Sequence, residues 1–285
     1  MSPDVEQHRG RLFGLAYRML GSATEAEDVV QETFLRWHGT DPATVENPAG
    51  WLTTVCSRLC LDRLRSARHR RESYVGPWLP EPLLTEDDPA ERVVDHESLT
   101  LAFLVVLDSL TPPERVAFLL HDVFGHPHEE IATVLSRSPA AVRQLASRAR
   151  RRVREAQVPH PVPRDDGERL VDAFVSATLG GDLDTLLRLL APDVEMTSDG
   201  GGLVSAARRP VQGADRVARF LLGLARQAEE GDELITTWVN GAPGLIIRRQ
   251  GRTDTVFALT VADGRVTQIH AIRNPDKLTA VDVRP

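Results

Sequence analysis

Residues 129–155 read EEIATVLSRSPAAVRQLASRARRRVRE, and their periodicity is that of two helices joined by a tight turn. Ile131, Ala132 and Leu135 recur at helical spacing. The pattern breaks at Ser136–Arg137. Ser138 suits the N-cap of a second helix and Pro139 its first position. Ala141, Val142, Leu145 and Ala149 give that helix an inward side and leave Arg143, Gln144, Ser147, Arg148, Arg151 and Arg152 outside. Such a helix fits the DNA major groove, where Arg can read guanine and Gln can read adenine. A basic amphipathic helix closing a bundle has the same pattern, so the rest of the chain must decide between them.

Charge is the first discriminator. The 285 residues carry 34 basic and 41 acidic side chains, a net charge of −7, which as a bulk value does not favour nucleic acid. Its distribution does. Residues 137–154 hold seven arginines and no acid, and residues 58–71 hold six arginines against Asp62 alone. Residues 81–97 run the other way, with seven acids against Arg92. Two basic patches separated by an acidic segment suggest two nucleic-acid contacts and a linker. Cys56 and Cys60 lie one helical turn apart in an apolar pattern and read as core residues, since a metal site needs further ligands. The charged, interrupted N-terminus is no secretory signal, and LAFLVVL at 101–107 is too short to span a bilayer. The expectation is a cytoplasmic protein.

The length allows two or three domains. The first runs over 3–72. One helix carries Leu12, Leu15, Met19 and Leu20, and a second carries Ala26, Val29, Val30, Phe34 and Trp37. A third follows from Trp51 through Leu64 into the arginine cluster. An acidic, Pro-containing linker over 73–98 includes WLPEP at 78–82. A second helical domain over 99–157 ends in the helix-turn-helix. After a short linker at 158–167, residues 168–285 change character: two amphipathic helices, then short β-rich runs punctuated by Gly and Asp turns. That is an α+β domain with helices packed on a curved antiparallel sheet.

AEDVVQETFLRWH at 26–38 resembles the polymerase-binding helix of bacterial sigma factors of the extracytoplasmic-function (ECF) type. NPAGWLTTVCSRLCLDRLRSARHRR at 47–71 resembles their promoter −10 region, and the helix-turn-helix resembles their −35-reading domain. WLPEP at 78–82, SDGGG at 198–202 and NPDKL at 274–278 resemble the SigJ-like subgroup with a fused C-terminal SnoaL-like domain. The family resemblance thus implies two all-α sigma-factor domains followed by a cone-shaped α+β domain. It implies core RNA polymerase, through its β′ and β subunits, and promoter DNA as partners. In the subgroup a basic residue follows the three glycines, whereas this chain has Leu203.

Asp28, Gln31 and Glu32 share the exposed side of the second helix. The resemblance assigns that side to the β′ coiled coil; from the residues alone an ordinary solvated face is the favoured reading. By resemblance, the loop over 39–50 captures a base flipped from the −10 strand. Asn47, with Glu46 second, is the side chain suited to hydrogen-bond a base edge. Arg63, Arg65, Arg68, Arg70 and Arg71 would hold phosphates. Arg143, Gln144 and Arg148 are the expected −35 base readers, with Arg137, Ser138, Ser147 and Arg151 beside them on the backbone.

Trp78, Leu79, Pro80, Glu81 and Pro82 place apolar groups inside an acidic segment, so they need burial against either the C-terminal domain or the polymerase. The expected interdomain set is this motif with Asp199, Gly200, Gly201, Gly202, Asn274, Pro275, Asp276 and Lys277. Within the cone, Glu195, Asp199, Trp238 and His270 stand out. A desolvated Asp199 can serve as a general base, but the triple glycine equally marks a close backbone approach. His270 is expected to be satisfied by a hydrogen bond. Related cones hold small molecules. A domain fused to a sigma factor reads as a regulator in cis, with no catalytic residue, metal or cofactor assigned. The rival readings are a polymerase-independent, ligand-responsive helix-turn-helix regulator and an enzyme with a targeting module. Neither explains residues 3–72.

Overall fold

The computed structural model describes residues 3–72, 74–85, 99–159 and 162–282, with the side chains of 3, 4 and 67–72 outside the description. The chain divides into two compact units. Among the described residues the first comprises 3–72 and 103–158, and the second comprises 74–85, 99–102, 159 and 162–282.

The first unit opens with α1 (Pro3–Glu6), α2 (Arg9–Leu20), α3 (Ala23–His38) and α4 (Pro48–Glu72). Gly21, at φ 69°, ends α2 in the left-handed region that glycine tolerates. The Ser22 hydroxyl then accepts from the Glu25 N–H at 3.1 Å and starts α3. Leu12, Leu15 and Met19 from α2, Val29, Val30 and Phe34 from α3, and Leu52, Cys56 and Cys60 from α4 are all buried. The Trp37 and Trp51 rings form a T-shaped pair with centroids 5.3 Å apart, so Trp51 packs against α3.

The unit continues with α5 (Leu101–Ser109), which begins in the second unit, then α6 (Pro112–Phe118), α7 (His128–Leu135) and α8 (Pro139–Glu155). A π-helical turn over Leu119–Val123 extends α6. Ser136 takes a left-handed conformation, φ 52°, to make the turn before α8. Ser138 caps α8 by accepting from the Ala141 N–H at 3.2 Å, with Pro139 at its first position. The buried side of α8 is Val142, Ala146 and Ala149. Ala141 and Leu145, expected inside, are half-buried because the i, i+4, i+7 row through Ala146 faces the neighbouring helices.

Two arginines join the α2–α4 layer to the α5–α8 layer within this unit. Arg115, only 4% exposed, donates to the Met19 carbonyl at the end of α2 and pairs with Asp108 at 2.9 Å. A cation there satisfies an open carbonyl and complements the helix dipole. Arg58 on α4 donates to the Thr133 carbonyl on α7 at 2.9 Å.

The second unit has α9 (Arg164–Gly180), α10 (Leu183–Leu189) and α11 (Ala214–Ala225) against a six-stranded sheet. The strands are β1 (Leu190–Asp199), β2 (Val211–Gln212), β3 (Glu233–Val239), β4 (Ala242–Arg249), β5 (Arg252–Ala262) and β6 (Arg265–Ile272), in the order β2-β1-β6-β5-β4-β3. Only the β1–β6 pair is parallel. A turn at Pro275–Lys277 and α12 (Thr279–Asp282) close the described chain. Helix α9 begins four residues before the expected 168, because Pro163 precedes it and Asp165 and Asp166 favour its first turn. Two-residue turns at Asn240–Gly241, Gln250–Gly251 and Asp263–Gly264, all at positive φ, set the β3–β6 hairpins. Phe174, Leu186, Val194, Met196, Phe257, Leu259 and Ile269 fill the space between helices and sheet.

Candidate functional site

On α3, Asp28 and Gln31 are exposed and Glu32 is half-exposed. Their spacing of three and four puts them on one side of the helix. Leu35, seven residues on from Asp28, continues that row and is 72% exposed. Residue-type reasoning passed over it because an exposed leucine is indistinguishable in sequence from a core one. Arg63 faces this acidic row. Its guanidinium donates to the Glu25 carbonyl at 2.9 Å and lies 3.6 Å from Asp28 and 4.0 Å from Glu32. It was expected on phosphate; here it braces α4 against α3 and sits between two carboxylates.

The loop before α4 is anchored at both ends. Asp41 accepts from the Ala43 N–H at 3.1 Å, and Asn47 Oδ1 accepts from the Gly50 N–H at 3.0 Å. Asn47 therefore caps α4 through its oxygen. Its amide nitrogen makes none of the hydrogen bonds found in the described loop, and both Glu46 and Asn47 lie at the surface. Arg65 is exposed beside Asp62 at 3.3 Å. The side chains of Arg68, Arg70 and Arg71 lie outside the described residues.

In the helix-turn-helix, Arg137, Ser138, Arg143, Gln144, Ser147, Arg148 and Arg151 form the outer surface. Arg143 is 3.9 Å from Glu129 and Arg151 3.8 Å from Glu155, both exposed pairs that cost little to break. Arg150 and Arg152 are structural: they pair with Asp122 at 2.5 Å and Glu114 at 3.0 Å. Glu114 also accepts from the Thr111 hydroxyl and N–H. Burial alone would raise its pKa, but the Thr111 bonds and the Arg152 charge outweigh that and hold it below the ordinary value.

The second unit gathers residues that are far apart in sequence. Asp199 ends β1 with 0% exposure. Its carboxylate accepts from the Tyr74 hydroxyl at 2.6 Å, the Leu79 N–H at 2.8 Å, the Gly201 N–H at 3.0 Å and the Lys277 ammonium at 2.7 Å. Lys277, the only lysine of the chain and 8% exposed, also donates to the Leu79 carbonyl. Its ammonium lies 4.2 Å from the Trp78 ring centroid and 5.1 Å from that of Tyr74, a cation–π arrangement. Asn274 donates to the Tyr74 oxygen at 2.9 Å. Burial and the hydrogen bond to Asp199 push the Tyr74 phenol well above its usual pKa.

The glycines have a steric reason. A Cβ on Gly201, at φ 62°, would meet the Asn274 amide at 2.5 Å, and one on Gly202, at φ 76°, would meet Val75 at 3.0 Å. WLPEP, SDGGG and NPDKL thus form one clasp. Pro80 and Pro82 are buried, and Glu81, Pro275 and Asp276 complete its segments. Asp199 is fully occupied by donors, an arrangement that fixes the carboxylate in place.

A second anchor follows. Leu83 N–H donates to Asn240 Oδ1 at 2.9 Å, Asn240 N–H to the Leu83 carbonyl at 2.7 Å, and Thr85 N–H to the Trp238 carbonyl at 2.9 Å. Residues 74–85 are therefore a strap across the α+β unit, fixed at both ends. Tyr74, Leu83, Thr85 and Asn240 were not singled out from sequence. Asn240 was findable as the first residue of an Asn-Gly turn; Tyr74 offers no local signal.

The other cone residues are apart from the clasp. Glu195 accepts from the Gln212 amide at 2.8 Å, and Trp238 lies under the Arg164 guanidinium at 5.4 Å. His270 departs from expectation. Its Nδ1 is buried with no partner among the described residues, and burial pushes its pKa down to about 4. Its register partners on the neighbouring strands are Thr197 and Ala258. Among the described residues no cluster of His, Cys, Asp or Glu is arranged to hold a metal, and no helix is long and apolar enough to cross a membrane.

Comparison with known proteins gives the same partition. The family Sigma-70 region 2 matches residues 5–70 and Sigma-70, region 4 matches residues 100–153. The chain is 43% identical to the ECF RNA polymerase sigma factor SigJ of Mycobacterium tuberculosis, over 97% of this chain and 92% of that protein. It is 37% identical to a probable ECF RNA polymerase sigma factor, SigI, of the same species, over 95% and 92% of the two chains. The crystal structure of M. tuberculosis SigJ superimposes with a TM-score of 0.79 at 41% identity, covering 98% of both chains. With helical regions 2 and 4 and an α+β domain carrying the clasp, the chain belongs to the extracytoplasmic-function family of RNA polymerase sigma factors.

Proposed function

We propose that this sigma factor is controlled in cis, its α+β unit withholding the segment that connects the two DNA-reading regions. The observation that carries the reading is the buried Asp199–Lys277 pair and the strap it holds. Core RNA polymerase docks on the α3 row of Asp28, Gln31 and Glu32, with Leu35 as its apolar member, on the β′ subunit. The 39–50 loop, through Asn47 and Glu46, takes the −10 base. Arg65, Arg68, Arg70 and Arg71 hold its flanking phosphates, and Arg63 positions the α3 row. The outer surface of α8 reads the −35 element, with Arg143, Gln144 and Arg148 on base edges and Arg137, Ser138, Ser147 and Arg151 on phosphates. The chemistry of RNA synthesis is the polymerase's own.

In this reading the strap exchanges one burial site for another. Trp78 and Leu79 leave the clasp when the linker enters the polymerase. The test is transcription in vitro with core polymerase, comparing the full chain with Lys277→Gln. Removing the cation leaves Asp199 buried with neutral donors alone, which costs up to about 3–5 kcal/mol in the closed clasp. More transcript from the variant is expected. Equal transcript would remove the clasp from the control mechanism, and no transcript or core binding from either chain would sink the assignment of partners.

A further inference from the structure

Within the helical unit, a groove of about 580 Å3 lies between α4 and the turn of the helix-turn-helix. Arg58, Asp62 and Arg65 line one side and Arg137 the other, with Leu61 and Leu135 among the apolar wall. We infer that this groove binds a small phosphorylated anion of nucleotide size. Three guanidinium groups face it against one carboxylate. Arg58 spends one donor on the Thr133 carbonyl and keeps the rest of its fork. The Arg65–Asp62 pair is over 70% exposed on both sides, so releasing Arg65 costs little. The Arg137 guanidinium has no acceptor among the described residues.

Guanidinium forks match phosphate geometry in a way that a point charge does not. The volume falls within the range of small-molecule sites, and the leucines supply the apolar wall that a base or similar flat group needs. The site exists only while α4 and the helix-turn-helix are packed together. A bound anion would therefore tie the two DNA-reading elements to each other and occupy arginines that promoter DNA would use. That consequence rests on the sigma-factor reading; the binding itself does not.

Calorimetric titration of the full chain with GTP tests it, with pyrophosphate and sulfate at matched ionic strength as controls. One saturable GTP site is expected, with pyrophosphate weaker and sulfate silent. Arg137→Ala should weaken GTP about tenfold, the effect of one charge-assisted contact. Asp62→Asn, which removes the only carboxylate in the groove, should tighten it several-fold. Both positions are exposed, and circular dichroism checks that helicity is unchanged. No saturable binding, equal binding of sulfate, or GTP affinity indifferent to both substitutions would overturn the proposal. So would a promoter-free DNA duplex whose binding responds to Asp62→Asn while GTP does not bind. Failure to bind core polymerase would overturn the sigma-factor reading and leave these titrations unaffected.

Discussion

Leu35 and His270 are single side chains that depart from the usual placement of their residue types, one apolar and exposed, the other polar and buried. Leu35 extends the row of Asp28, Gln31 and Glu32 and touches water over most of its surface. Burying it on a partner is worth about 1–2 kcal/mol. Leu35→Ala should weaken binding to core polymerase about tenfold while the unfolding midpoint stays put, as surface substitutions usually leave it. A chain destabilised by the change, with polymerase affinity intact, would return Leu35 to the fold. His270 is a different case, a buried imidazole held neutral. Its pKa is about 4 in the folded chain against an ordinary 6.5. The unfolded chain takes up the proton first as pH falls. The pH-dependent loss from His270 is therefore absent well above pH 6.5, grows as pH falls below it, and levels off below about pH 4. The loss approaches roughly 3 kcal/mol. Thermal unfolding between pH 7 and pH 4 should be less steep in His270→Leu than in the natural chain; parallel curves would contradict this.

At the scale of elements, legibility followed locality. The helix-turn-helix was readable because its caps, breaks and apolar rows lie within 27 consecutive residues, and Ser138, Pro139 and the exposed arginines stand where that reading puts them. The sheet was readable as hairpins for the same reason. The strap was not, because its bonds join Tyr74 to Asn274 across 200 residues and Leu79 to Asp199 across 120. Periodicity says nothing about such pairs. Only the resemblance of three short motifs indicated that the segments belong together, and it left Tyr74 and Asn240 unnoticed. Arg63, expected on phosphate from its basic run, also reaches a neighbouring helix at the Glu25 carbonyl, a contact that no local pattern signals. For α8 the division between base readers and phosphate holders is testable. Arg143→Ala should cost about 1–3 kcal/mol and relax specificity at one −35 base pair. Ser147→Ala should weaken all sequences alike by less than that. Equal, sequence-independent losses from both would leave Arg143 on the backbone.

At the scale of the whole chain, two compact units share one continuous thread. Residues 74–85, which follow α4 in sequence, belong to the α+β unit and are held there by a lysine–aspartate pair, two buried prolines and a pair of hydrogen bonds at Asn240. A connector this well satisfied is a structural element of the unit that holds it. If a sigma factor must lay the same connector into polymerase, the two sites compete, and opening the clasp precedes initiation. Val75 and Gly202 allow that claim to be tested directly, since a Cβ at position 202 would lie 3.0 Å from that of Val75. A disulfide in Val75→Cys/Gly202→Cys would lock the strap, with the new side chain at position 202 held at φ 76° at some cost in strain. The natural Cys56 and Cys60 are buried. The measurement is promoter-dependent transcription by core polymerase with the double variant, oxidised and then reduced, beside Val75→Cys alone. The oxidised double variant should be silent and reduction should restore transcript, with the single variant indifferent to both treatments. Equal transcript from the locked and unlocked chain would show that the strap need not open, and the claim of control in cis would fail.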